Sequence, residues 1–158
     1  MIDGPAVVAA LEAAGFTHLV WLPDSHLGTW DAALAGSRLA PVRVCREGEA
    51  VAVAAGLMLG GAVPLVAIQC TGFFEAGDAV RNVVHDLKLP LKLLVGVRSW
   101  RAVREGKSTD NCPHFAVNVV RAWELPHSWF NPFVGNGLCS VVHWLRDEPG
   151  PAVLLWGE

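Results

Sequence analysis

Short β-branched or wholly apolar runs alternate along this chain with stretches rich in Ala and Leu. Residues 41–45 (PVRVC) are short and β-branched, which suits a strand. Residues 49–59 are rich in Ala, Leu and Met, which suits a buried helix. Gly60-Gly61 stops that helix, and residues 63–68 form a second buried strand. The three pieces make a βαβ unit, which predicts parallel pairing. Arg46-Glu47-Gly48-Glu49 then falls at the carboxyl end of a strand where a helix begins, the crest at which open α/β sheets bind ligands.

The same reading extends to both sides. Asp3 or Gly4 caps a helix with Pro5 at its first position, running through Ala13 and ended by Gly15. Strands are predicted at 18–22, 90–97 and 152–156, and helices at 29–35, 75–87, 115–123 and 136–146. Cys70 to Phe74 and the polar stretch from Ser99 to Cys112 read as loops. The expected fold is α/β, a single three-layer domain over residues 1–158 with a mostly parallel sheet flanked by helices.

Composition narrows the function classes. Of 158 residues, 53% are hydrophobic and 17% charged, which predicts a surface partly covered by partners. Seven Trp without any Tyr predicts that some Trp face another chain. A net charge of −3 gives no nucleic-acid surface. No apolar run reaches transmembrane length, so no membrane role is expected. The first residues lack a basic region followed by an apolar run, so they do not read as a signal peptide. The four cysteines form no CxxC, which argues against zinc and for free thiols in a cytoplasmic chain. His85, His127 and His143 share no metal-ligand spacing, so no metal site is assigned to this chain.

Four loops converge on one edge if the sheet is parallel: those at Pro23 to His26, Arg46 to Glu49, Cys70 to Phe74, and Ser99 to His114. Each residue type there admits two readings. Glu47 and Glu49 suit the first turn of a helix, where the macrodipole favours carboxylates, and equally suit proton exchange with a bound base. Asp24 and Ser25 follow Pro23 and suit a tight turn that caps the next helix. Ser25 and His26 also suit contact with a substrate. Thr71 offers a hydroxyl and Gly72 permits close approach of a planar ring, whereas Phe73-Phe74 suit core packing. His114 is either a surface-loop histidine or a proton donor. Gly106-Lys107-Ser108 matches the end of a phosphate-binding loop, but Arg101 stands where its upstream Gly is required.

These motifs carry a resemblance. Arg46-Glu47-Gly48-Glu49-Ala50 followed by Ala54-Ala55-Gly56 resembles the pyrimidine-binding domain of thiamine-diphosphate enzymes, where a strand-end Glu precedes a helix Gly. Within that superfamily the chain is similar to the sulfopyruvate and phosphonopyruvate decarboxylases, and to the α subunit where sulfopyruvate decarboxylase is split in two. Pro23-Asp24-Ser25 matches their substrate-facing loop. Gln69-Cys70-Thr71-Gly72 stands where they have Gln, Asn, Ser and Gly, and Asp110 and His114 match the ends of an Asp-Glu-Pro-Gln-His stretch.

The resemblance implies a thiamine-diphosphate-binding fold and a two-chain 2-oxo acid decarboxylase. Glu47 would hydrogen-bond a ring nitrogen of the cofactor aminopyrimidine and activate it, with His114 and Asp24 as further catalytic residues. Thr71, Gly72 and Phe73 would contact the cofactor. Ser25, His26 and Arg98 would contact the substrate, whose second anionic group Arg46, Arg98, Lys107 and His114 would neutralise. The superfamily's Gly-Asp-Gly motif for magnesium is missing, so the Mg2+ ligands are expected on a diphosphate-binding β subunit in a hetero-oligomer such as α2β2 or larger. Two alternatives stand beside this one: a non-catalytic subunit of the same fold, favoured by Cys70 and Phe73-Phe74, and a thiamine-dependent carboligase component of a biosynthetic pathway.

Overall fold

The computed structural model describes residues 2–134 and 137–158. In chain order the elements are α1 (Gly4–Ala13), β1 (His18–Trp21), a 3-10 turn (Leu27–Trp30), α2 (Asp31–Leu34), β2 (Ala40–Arg43), α3 (Glu47–Leu59) and β3 (Pro64–Gln69). They continue with α4 (Cys70–Glu75), α5 (Gly77–Arg81), a π turn (Asn82–Asp86), β4 (Lys92–Val97), α6 (Trp100–Arg104), α7 (Cys112–Ala122), β5 (His127–Phe130), α8 (Leu138–Asp147) and β6 (Ala152–Gly157). The six strands form one sheet in the order β2-β1-β3-β4-β6-β5, and every pair is parallel.

Side-chain alternation along the strands builds a core on each face. Leu19, Trp21, Leu65, Ala67, Leu94, Leu154 and Trp156 point to the face covered by α1 and α8. Val20, Val66, Ile68, Leu93, Val95, Val153 and Leu155 point to the other, covered by α3, α5 and α7. A parallel sheet buried on both faces needs near-continuous apolar strands, and β3, β4 and β6 are so apart from Gln69 at the end of β3 and Lys92 at the start of β4. This packing takes up much of the apolar composition. The seven Trp follow it: Trp21, Trp30 and Trp156 are buried, and the other four are half-buried. Within the chain Trp100 stacks on Trp129 at 5.7 Å.

The predicted α1, with Asp3 Oδ1 accepting the Ala6 N–H at 2.9 Å and Pro5 in the first turn, is present. Three differences from the sequence reading have local causes. Cys70 to Phe74 is not a loop but begins α4, so the predicted helix over 75–87 starts at Cys70 and is broken into α4, α5 and the π turn. Glu75, Ala76 and Gly77 hold the break, where the Trp123 ring packs close over Gly77. The stretch after Val97 is not all loop, because Trp100 lies on the Gly157 backbone and supports α6. Finally, β5 (HSWF) escaped notice because it is four residues long, on the sheet edge, and only Phe130 is fully buried. The predicted start of the last helix at Asn136 lies outside the described residues, and α8 is described from Leu138.

Candidate active site

In this strand order the chain leaves β1 in opposite directions toward β2 and β3, so the topological switch point lies between the carboxyl ends of β1 and β3. Both strands end there, β1 at Trp21 and β3 at Gln69. The four segments named from the sequence therefore all follow strands at one edge of the sheet, Cys70 to Phe74 as the start of α4.

The two glutamates at the start of α3 separate into different roles. Arg46 is the N-cap residue, in an extended conformation, and offers no side-chain cap. Glu49 fills that place: its Oε2 accepts the Cys45 backbone N–H at 2.9 Å, which satisfies a donor outside the helix. Glu47 lies two residues earlier, at the first position of the helix, half-buried, with its carboxylate against Gly72 in α4. A Cβ at Gly72 would overlap the Glu47 carboxyl group and its Cγ, so only glycine leaves room for this contact. Two helix starts, α3 and α4, thus bring a carboxylate and a bare backbone together at the crest.

Asp24 is fully engaged. Its Oδ1 accepts the N–H groups of His26 and Leu27, each at 2.8 Å, and caps the 3-10 turn. Its Oδ2 accepts from Gln69 Nε2 at 3.0 Å, a bond that ties the β1 and β3 ends across the switch point. Thr71 Oγ1 donates to Gln69 Oε1 at 3.1 Å, so the amide is held at both ends. Phe73 is 1% exposed and packs in the core under α4, with Cys70 beside it. Burial pushes the Cys70 thiol up to about 12, which keeps it neutral.

Beyond Gln69 the edge opens into a cavity of about 500 Å3 lined by Asp24, Ser25, His26, Gln69, Arg98 and Glu158, with Ser99 at its rim. Ser99 holds a left-handed backbone (φ 58°), a conformation that costs a non-glycine residue about 1 kcal/mol or more. Arg98 Nε donates to Asp110 Oδ2 at 3.0 Å. The Asp110 carboxyl is held below its usual range, chiefly by the Cys112 backbone N–H and then by the Ser99 hydroxyl, with a smaller contribution from Arg98. His114, on the exposed first turn of α7, pairs with Asn118 at 3.0 Å. Lys107 pairs with Glu105, and both are exposed. Among the residues expected to meet a substrate, then, Ser25, His26 and Arg98 line one cavity, while His114 and Lys107 have partners outside it.

Glu158 was not anticipated. It follows β6 on the same edge, is 5% exposed, and neither carboxyl oxygen has a hydrogen-bond partner among the described residues. Its carboxyl group occupies the space a Cβ of Gly96 would fill, which fixes it against β4. Burial, with the charge of Asp24 second, pushes its carboxyl up to about 8, while the nearby Gln69 amide and Arg98 pull the other way. The available signal was its position, since it too is an acid just beyond a strand end.

Among the described residues no group of three or more His, Cys, Asp or Glu side chains is arranged to hold a metal ion. No helix there is long and apolar enough to cross a membrane.

No protein-family model matches this chain. It is 29% identical over 121 residues to phosphonopyruvate decarboxylase of Streptomyces viridochromogenes, an alignment covering 76% of this chain and 30% of that protein. The phosphonopyruvate decarboxylase of Streptomyces hygroscopicus matches at the same 29% identity, over 76% of this chain and 29% of the relative. The chain thus spans about three-tenths of the length of the curated relatives it matches. Benzoylformate decarboxylase from Polynucleobacter necessarius superposes on 99% of the chain, and 30% of its own, with a TM-score of 0.76 at 19% identity. The thiamine diphosphate-dependent 4-hydroxybenzoylformate decarboxylase of Rhodococcus jostii does so on 99%, and 30% of its own, with a TM-score of 0.70 at 17% identity. The fold is the thiamine-diphosphate-binding fold, and in sequence the chain resembles phosphonopyruvate decarboxylases.

Proposed function

We propose that this chain is the pyrimidine-binding α subunit of a thiamine-diphosphate-dependent 2-oxo acid decarboxylase of the phosphonopyruvate or sulfopyruvate type, completed by a second, diphosphate-binding subunit. The observation that carries the reading is the Glu47 carboxylate seated against Gly72 beside the switch point. A planar aminopyrimidine ring fits this arrangement: it needs a carboxylate at one ring nitrogen and backbone without a Cβ beneath it.

Bound thiamine diphosphate supplies the electron sink that a 2-oxo acid needs to lose carbon dioxide. Glu47 holds and returns a proton at the ring nitrogen. Gly72 and the exposed Thr71 shape the floor beneath the ring, and Phe73 supports that floor from the core. Asp24, bound three ways, keeps the loop bearing Ser25 and His26 in place against the substrate. Arg98 meets the acid's second anionic group, and His114 is the proton carrier on the α7 side. Magnesium and the diphosphate are held by the partner in a hetero-oligomer of α2β2 or larger size. The four free cysteines support a cytoplasmic location.

Calorimetric titration of thiamine diphosphate with Mg2+ into the chain alone and into the chain mixed with its partner subunit tests this. Saturable binding in the mixture only is expected, together with turnover of phosphonopyruvate or sulfopyruvate. Glu47→Gln keeps the shape of the side chain but cannot exchange the proton, so turnover should fall by roughly 10²–10⁴-fold. Glu49→Gln, which can still reach the Cys45 N–H, should retain most of it. Near-normal turnover in Glu47→Gln would remove that residue from the chemistry.

A further inference from the structure

The cavity at the ends of β1, β3, β4 and β6 holds one group for which neither the packing nor the proposed cofactor chemistry has a use. Glu158 is a carboxylic acid buried to within 5% of complete, fixed over Gly96, lining the cavity and unbonded at both oxygens among the described residues. A buried polar group without a partner is costly, so the absent partner is expected to be a ligand. Its protein neighbours are largely committed: Gln69 gives one amide N–H to Asp24 and its Oε1 accepts from Thr71, leaving a second N–H near Glu158, and Asp24 accepts three bonds. Arg98 lines the same cavity, half-exposed, and uses Nε for Asp110.

We propose that Glu158 and Arg98 form an acid-binding subsite, in which the Glu158 carboxyl O–H and the Arg98 guanidinium together hold an oxyanion of a small organic acid. The inference rests on the reading above only for the class of acid, an anionic 2-oxo acid. The alternative occupant, a cation, is disfavoured by Arg98 in the same cavity. With its carboxyl pushed up to about 8, Glu158 carries its proton at neutral pH and acts as a donor. The titratable and charged groups around it are Asp24 and His26 on the loop after β1, Cys70 at the start of α4, and Arg98 after β4 with its partner Asp110. Cys70 stays neutral across the working range. Glu158 is thus a neutral donor beside a fixed positive charge, and an ionised oxygen accepts from both.

Sulfoacetate is a suitable probe, because both its acidic groups stay ionised from neutral to alkaline pH. Titrated calorimetrically into the full chain, it should bind saturably near pH 7 and about tenfold more weakly near pH 9, where about nine-tenths of Glu158 has ionised. Glu158→Gln, whose amide donates but does not ionise, should bind at both pH values as the wild type does near pH 7. Glu158→Ala should bind about tenfold more weakly near pH 7 and lose the pH dependence. His26→Gln should keep the wild-type fall, which separates any contribution of the histidine from that of Glu158. The proposal is overturned by an absence of saturable binding, by equal affinity in wild type and Glu158→Ala, or by a fall that vanishes in His26→Gln. Thiamine diphosphate binding by the same chain with its partner is scored separately. Its failure alongside Glu158-dependent acid binding would sink the decarboxylase reading and leave this subsite standing.

Discussion

Glu47, Glu49 and Glu158 are the same side chain in three surroundings, and their surroundings assign them different work. Glu49 accepts a backbone N–H and stabilises a helix start. Glu47 lies against a glycine at the crest. Glu158 is buried, and among the described residues its carboxyl oxygens have no hydrogen-bond partner to replace the water they lost. That last state has a consequence for stability. The unfolded carboxyl ionises near 4.5 and the folded one near about 8, so between those values the folded chain keeps a proton that the unfolded chain releases. The contribution of Glu158 is therefore fully present below about 4.5, declines as pH rises toward 8, and is flat above it. Glu158→Gln removes this decline and should be the more stable protein above pH 8, by an amount on the order of a few kcal/mol. Urea midpoints measured from about pH 4.5 to 9 check it, and parallel curves for the two proteins would show that Glu158 is not buried as an acid.

At the scale of elements, the site is a meeting of helix starts. The α3 and α4 segments begin at the ends of β2 and β3, and their contact is a carboxylate on a glycine. Gly72→Ala forces the flexible Glu47 side chain to swing away while the helix gains a better former. The expected outcome is a chain that folds with nearly unchanged stability and, in the assembled enzyme, loses turnover to the level of Glu47→Gln. Retained turnover would mean that the contact is incidental. Gly56, farther along α3, behaves differently. A Cβ there meets nothing within 4 Å, and the residue is exposed. Gly56→Ala should raise the stability of the isolated chain by roughly 0.5–1 kcal/mol, read from its denaturation midpoint. A loss of stability would show that packing, not helix propensity, governs that face.

At the scale of the whole molecule, the order β2-β1-β3-β4-β6-β5 explains both the apolar composition and the place of the site. Covering a parallel sheet on both faces consumes the Val, Leu and Ala runs, and three of the Trp with them. Large apolar side chains remain outside, among them Leu59 at 74% exposed and Phe115 at 48%. All strand ends point one way, so every loop after a strand reaches the same edge, and the switch point between β1 and β3 gives that edge its cleft. The proposed cofactor titration belongs to this scale, because it asks whether this edge binds by itself or only with a partner.

What the sequence determined by itself was set by local rules. The βαβ pattern, the capping Asp3 with Pro5, and the glycine stops after α1 and α3 all follow from propensity and periodicity over a few residues. They were enough to establish a parallel α/β sheet and to put Asp24, Glu47, Thr71 and Arg98 at strand ends. Three things were settled only by tertiary structure. The edge strand β5 is too short and too exposed to carry a periodic signal. The contact of Glu47 with Gly72 at the start of α4 joins residues far apart in the chain. The burial of Glu158 depends on β6 lying between β4 and β5, because pairing beside β4 sets its carboxyl group over Gly96 and away from water. Nothing in the local sequence around a terminal strand encodes which strand will lie next to it, and that neighbour decides whether an acid there is solvated or buried.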